Sequence, residues 1–315
     1  MTGVVVARLL SAVPTLLLIS LITFTIIHLI PGDPASVMAG VTATPEQVEQ
    51  IRVDLGLDQP FYGQLTHWYA GLLHGDLGRS LLLGQDVFGA VLQRLPVTLA
   101  LSAYALVLTL LVGIAGGVLA ALRHNTVVDQ AAMIVAMLGI SMPSFFFAPL
   151  MVLLFAVHLG WLPSGGYVPF TTDPVGWFRA ATLPAVSLAL LQVGLLARIT
   201  RSTMLEVLRQ DYVRTARAKG LPGWRVVGKH ALANAMIPIA TVVGIAISLL
   251  LSGSVVIETI FSVPGIGQLL TQAVLNRDYP LVQGGLLLLT TSLVVVNIGI
   301  DVLYAALDPR VRLGG

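Results

Sequence analysis

Residues 198–238 read RITRSTMLEVLRQDYVRTARAKGLPGWRVVGKHALANAMIP, the one long polar and basic interruption in a chain otherwise made of apolar runs. Eight of the 17 Lys and Arg residues lie in it (Arg198, Arg201, Arg209, Arg214, Arg217, Lys219, Arg225 and Lys229), and both of the chain's lysines are among them. Residues 203–219 contain no Pro or Gly and are good helix formers, so the stretch is expected to open as one helix. Gly220-Leu221-Pro222-Gly223 should stop that helix sharply, and a second can start at Trp224. The expected product is a helix, a tight turn and another helix. Ala216 and Gly220 are small and four apart, so one edge of the first helix should be bare enough to enter a groove, with Arg214 and Arg217 beside it for ion pairing.

What surrounds this stretch sets the class. Hydrophobic residues make up 56% of the 315, charged residues only 10%, and the mean hydropathy is +0.91, more apolar surface than a soluble domain can bury. A polytopic membrane protein follows. The sequence pI of about 9.1 raises nucleic acid as a partner, but a net charge of only +2, with the basic residues gathered in one loop, argues for membrane topology instead. No cysteine is present, which removes disulfides, thiolate zinc sites, iron–sulfur clusters and cysteine nucleophiles.

Outward from the basic stretch, apolar runs at about 9–30, 95–122, 131–157, 182–199, 237–257 and 281–303 are each long enough to approach or cross a bilayer core of about 30 Å as a helix. The expected fold is all-α, with six transmembrane helices in a single domain over residues 1–315. The first run ends in Pro31-Gly32-Asp33-Pro34 and reads as a span rather than a cleaved signal. Gly113 and Gly117 have the GxxxG spacing that lets another helix approach closely, and Ser141-Met142-Pro143 should kink the third span. With six spans both termini share a side. That side carries twelve basic residues and the other only five (Arg52, Arg79, Arg94, Arg179 and Arg277), so the termini and residues 200–236 are expected in the cytoplasm, and 31–94 outside.

The outer segment 31–94 is expected to be partly helical. Thr44, Pro45 and Gln47 read as cap, first helical residue and third residue of a helix, with Gly56 as its stop. Phe61, Leu65, Trp68, Tyr69, Leu72 and Leu73 recur at helical spacing, and their face can lie on the bilayer, against a partner or on the chain's own spans. Between spans three and four, Trp161, Tyr167 and Trp177 suggest an interface belt.

Several residues invite chemical readings. Gly223 to Lys229 has the spacing of a nucleotide-binding P-loop, but His230 stands where Ser or Thr should hold Mg²⁺ and no strand precedes it, so ATP hydrolysis is not expected on this chain. Asn297 and Asp301 are four apart in the sixth span, and Asp301 lies where it can pair with Arg198 or Arg201. Gln192 reads as glue between helices or as a contact on a substrate path, Glu258 as a path carboxylate or a solvated helix end, and His28 as structural. No HExxH or GxSxG occurs, which argues against an intramembrane enzyme. An ion-coupled secondary transporter would need more buried carboxylates or an internal repeat with broken helices.

The segment Asp211-Tyr212-Val213-Arg214-Thr215-Ala216-Arg217-Ala218-Lys219-Gly220, followed by His230-Ala231-Leu232, Asn234-Ala235 and Ile237-Pro238, resembles the EAA coupling loop of ABC importer permeases. More narrowly, it resembles the B-type permease of dipeptide and oligopeptide importers. The likeness extends through Pro31-Gly32-Asp33-Pro34, Leu55-Gly56-Leu57-Asp58, Gly75-Asp76-Leu77-Gly78, Leu162-Pro163-Ser164-Gly165 and Pro264-Gly265-Ile266-Gly267. The Glu-Ala-Ala that names the loop falls on Arg214-Thr215-Ala216, so a role tied to its carboxylate does not carry over.

The resemblance implies a type I ABC importer fold in a bacterial or archaeal cytoplasmic membrane. It implies a second, homologous permease subunit, one or two ATPase subunits that bind ATP and Mg, an extracellular substrate-binding protein and contact with membrane lipid. No cofactor is implied on this chain. The expected ATPase contacts are Asp211, Tyr212, Arg214, Thr215, Ala216, Arg217, Lys219, Gly220 and Leu221. The implied cargo is di- or oligopeptides, with nickel chelates or another small solute as the alternative.

Overall fold

The computed structural model describes the backbone of residues 2–29, 34–39, 43–54, 56–80 and 82–307 and the side chains of most of them. Pro31-Gly32-Asp33, Leu55 and the tail from Asp308 lie outside the described residues, as do the side chains of His28 and Asp301. Helices α1 (Thr2–Leu29), α2 (Pro34–Ala39), α3 (Pro45–Asp54), α4 (Phe61–Leu73) and α5 (Val87–Leu122) come first. Next are α6 (Val127–Ser141), α7 (Ser144–Met151) with a π-helical turn at Val152–His158, α8 (Pro174–Leu208) and α9 (Asp211–Ala218). A short α10 (Gly223–Arg225) runs through a second π-helical turn, Val226–Leu232, into α11 (Ala233–Ile260), and α12 (Ile266–Leu275) and α13 (Tyr279–Leu307) follow.

The fold is all-α, and among the described residues five segments are long and apolar enough to cross a membrane: those within α1, α5, α8, Gly223–Ile260 and α13. The count is six if α6 and α7 form one span. Those two are bent by 109° where Met142 turns extended ahead of Pro143, because a residue before proline is driven out of the helical region. The expected kink is therefore a sharp corner.

The chain divides into two compact units, residues 1–96 with 265–302 and residues 97–264 with 303–315. In the first, α3 begins with the reciprocal cap read from the sequence. The Thr44 amide donates to Gln47 Oε1 at 2.9 Å and the Gln47 amide to Thr44 Oγ1 at 3.4 Å. Gly56 follows α3 with φ +65°. The apolar face of α4 lies on the chain's own first helix, with Phe61 edge-on to Phe24 at 5.4 Å and the Tyr69 and Ser20 hydroxyls 3.0 Å apart. Helix α12 falls where a loop was expected. It buries Ile266, Leu269, Leu270 and Ala273 against Leu77, Val87, Val91 and Leu281.

In the second unit α8 is the central helix. Gly117 of α5 sits so close to it that a Cβ there would lie 2.5 Å from both the Ala197 carbonyl oxygen and Thr200 Cβ. Gly113 is similarly placed against Leu196, and on another side Gly194 lies against the Ala136 carbonyl of α6. Small residues thus let backbones approach where no larger side chain fits. Trp177, in the first turn of α8, is a buried ring against Tyr104, Phe170 and Phe178.

Candidate functional site

The basic stretch does not fold as one helix from 203 to 219. Helix α8 carries Arg198 and Arg201 and continues to Leu208; Gln210 is extended (ψ 148°), and α9 then starts at Asp211. No Pro or Gly marks this break. Tertiary packing supplies it, since Val213 and Ala216 of α9 are buried against Val226, with Val207, Leu208 and Leu221 around them. Helix propensity over 203–219 is overridden by a hairpin that closes on three small apolar side chains.

The far end of α9 is closed by a left-handed cap. Gly220 has φ +75°, its amide donates to the Arg217 carbonyl at 2.9 Å, and the Leu221 amide reaches back to the Ala216 carbonyl at 3.3 Å. This pair of bonds satisfies carbonyls that the helix end leaves open, and Leu221 adds the apolar contact that usually accompanies it. Nothing lies within 4 Å of where a Gly220 Cβ would be, so the position demands glycine through its backbone angle and not through crowding.

Asp211, Tyr212, Arg214, Thr215, Arg217, Lys219 and Gly220 are exposed on this hairpin, and Leu221 is half-buried. Asp211 stands at the α9 N-terminus, where its charge suits the helix dipole, with Arg214 Nη1 at 3.5 Å. Thr215 Oγ1 donates to the Asp211 carbonyl at 2.9 Å, and the Tyr212 hydroxyl to the His230 carbonyl at 3.5 Å across the hairpin. Ala216 corrects the expectation of a bare outer edge. At 7% exposure it faces Val213 and Val226, leaving a cationic surface of Arg214, Arg217 and Lys219 around the exposed Gly220. Beyond the turn, Trp224 is 71% exposed with the Arg225 guanidinium 4.9 Å from its ring centre. The spurious P-loop is helical: Gly223 opens α10, and Gly228 and Lys229 sit in the π-helical turn.

An ion pair missed in the sequence stands on α8 just before the hairpin. Asp129, in the first turn of α6 and 3% exposed at its side chain, takes Arg201 Nε at 2.5 Å and Nη2 at 2.7 Å. The Asn125 amide donates to the same carboxylate at 2.9 Å, and His124 Nδ1 lies 3.3 Å from it. Arg201 is therefore held by Asp129, Arg198 is exposed, and the expected pairing of Asp301 with either arginine lies outside the described side chains. The signal available was an acidic residue at the start of one apolar run and a basic one at the end of another.

Both suggested path residues are buried. Gln192 is 5% exposed and its Oε1 accepts no hydrogen bond among the described residues, while Glu258 is fully buried near the end of α11. The loop before α8 meets that helix end, with the Gly166 amide donating to the Phe261 carbonyl at 2.8 Å.

A multi-spanning helical chain with an exposed basic hairpin between long apolar helices has the form of a transport permease. The chain belongs to the family described as binding-protein-dependent transport system inner membrane component, which it matches over residues 113–313; residues 1–102 match that system's N-terminal membrane component family. It is a membrane transport component and not an enzyme. A Brucella abortus (strain 2308) chain, provisionally named a peptide transport system permease protein, is 52% identical over 312 residues, 99% of each chain. The glutathione transport system permease protein of Escherichia coli O6:H1 is 40% identical over 312 residues and 99% of each chain, and the dipeptide transport system permease protein of Escherichia coli K12 is 40% identical over 98% of each. A solved structure of the MetNI methionine ABC transporter shares the fold, with a TM-score of 0.54 and 18% identity over 70% of this chain and 97% of that one.

Proposed function

We propose that this chain forms, with a second homologous permease, the path through which an ATP-driven importer carries short peptides into a bacterial cell. The observation that carries the reading is the exposed hairpin at residues 211–221, capped at Gly220 and lying between two membrane-length helices. An ATPase subunit docks on it, using the cationic surface of Arg214, Arg217 and Lys219, and ATP with Mg is held by that subunit. ATP-driven closure of two such subunits pushes on the hairpins and opens the path outward to a substrate-binding protein; hydrolysis resets it inward. The charge count supports cytoplasmic termini and an outer segment at 31–94.

Relatives named for peptide, dipeptide and glutathione transport support small peptides as cargo, ahead of nickel chelates. Uptake by the reconstituted importer decides between these. Saturable, ATP-dependent uptake of labelled di- to pentapeptides is expected, and uptake of chelated nickel without peptide uptake would overturn the assignment. A cysteine placed within 43–80 should react with an impermeant reagent from outside the cell; reaction only after permeabilisation would reverse the topology.

A further inference from the structure

We propose that Arg201 and Asp129 form the latch through which displacement of the hairpin is passed from α8 to α6 and the α5–α6 turn, which makes them positioning residues for transport; this rests on the docking role of the hairpin. Hairpin movement enters α8 through the Val213, Ala216 and Val226 cluster, which touches Val207 and Leu208 in the last turn of that helix. Arg201 lies two helical turns earlier, about 10 Å along the axis at 1.5 Å per residue. There the single carboxylate of Asp129 gathers three pieces of the unit. It takes the Nε and one Nη2 hydrogen of Arg201 from α8, lies in the first turn of α6 itself, and accepts the amide of Asn125, whose φ of +60° fixes the α5–α6 turn.

The pairing differs from two others on exposed helices. Glu49–Arg52 and Asp211–Arg214 each join residues three apart on one exposed helix, whereas Asp129–Arg201 crosses between helices with its carboxylate buried. Buried ion pairs add little net stability over apolar packing of the same size, and what a two-pronged pair supplies is fixed orientation. Gly117 against Ala197 and Thr200 grips α8 from α5 in the turn just before Arg201. With both contacts made, α8 cannot tilt without carrying α5 and α6; with the latch cut, it can.

The test uses the complete importer in liposomes, with dialanine as cargo and a spin-label pair on cysteines introduced at the exposed positions Val128 and Ser202. Asp129→Asn is expected to keep its ATPase subunits and hydrolyse ATP while uptake per ATP falls about tenfold, within the range by which changes along a coupling route act. In the intact protein the label distance should be single and equal with and without trapped nucleotide; in Asp129→Asn it should broaden and change with nucleotide. Arg201→Lys, which keeps charge but loses the fork, guards against a misfolded variant and should fall between the two. Unchanged uptake per ATP, or an unchanged label distance, in either variant overturns the latch, since a purely structural pair would lower only yield or melting temperature. Loss of ATPase subunits from the unmutated chain would instead reject the docking role, and absence of dialanine uptake with a nucleotide-responsive label pair in Asp129→Asn would reject the cargo while supporting the latch.

Discussion

Helix α8 buries fifteen residues along its length, whereas the hairpin after it closes over three, Val213, Ala216 and Val226. The helix is fixed by packing, through glycines that admit backbones and a two-pronged ion pair, and the hairpin is fixed by a left-handed turn. On the proposed docking role, the difference separates two tasks. A docking element must expose its charges and survive with little core, while the element behind it must not yield when pushed. Size should therefore matter along α8, and backbone angle and charge in the hairpin.

The strongest way to break this contrast is to enlarge Gly117. Gly117→Leu must displace the Ala197 carbonyl or Thr200, and overpacking of this kind costs about 1–3 kcal/mol and more against backbone. Its melting temperature in detergent should drop sharply, while Gly116→Leu, where nothing stands within 4 Å, should melt like the parent. Equal effects at the two positions would remove the packing argument. Next in size, Val213→Ala thins the hairpin's small core by two methyl groups, at a cost of about 1–2 kcal/mol. Amide exchange should then accelerate across α9 but not α8; acceleration in both would show that the two are one cooperative unit.

Gly220 sharpens the contrast further, because it has room but the wrong angle for a branched side chain. Gly220→Val should cost about 1–2 kcal/mol through φ alone and loosen ATPase retention, while Gly220→Asn, which tolerates that region, should keep most of it. The smallest effect is expected at Arg214. Its pair with Asp211 is open to solvent, so Arg214→Ala should leave α9 intact by amide exchange and weaken only the salt-sensitive part of ATPase binding.

Much of this was legible in the residues. The apolar runs gave the spans, Thr44 and Gln47 gave the cap of α3, and Gly220-Leu221-Pro222 gave the turn. The break at Arg209-Gln210 was not legible, since neither residue stops a helix and the cause lies in Val226, distant in sequence. Helix α12 was hidden behind Pro264-Gly265, turn residues that here precede a helix, and its burial depends on Val87 and Val91 far up the chain. The Asp129–Arg201 pair spans 72 residues, and no spacing rule reaches that far.

The central claim, that residues 211–221 receive the ATPase, can be tested directly because the chain has no cysteine of its own. A single cysteine at Lys219, exposed beside the turn, is joined by a short bifunctional reagent to whatever touches it in the assembled importer. The account predicts a covalent product with an ATPase subunit from Lys219→Cys and none from Ser164→Cys in the loop between α7 and α8. A product from Ser164→Cys but not from Lys219→Cys would contradict it.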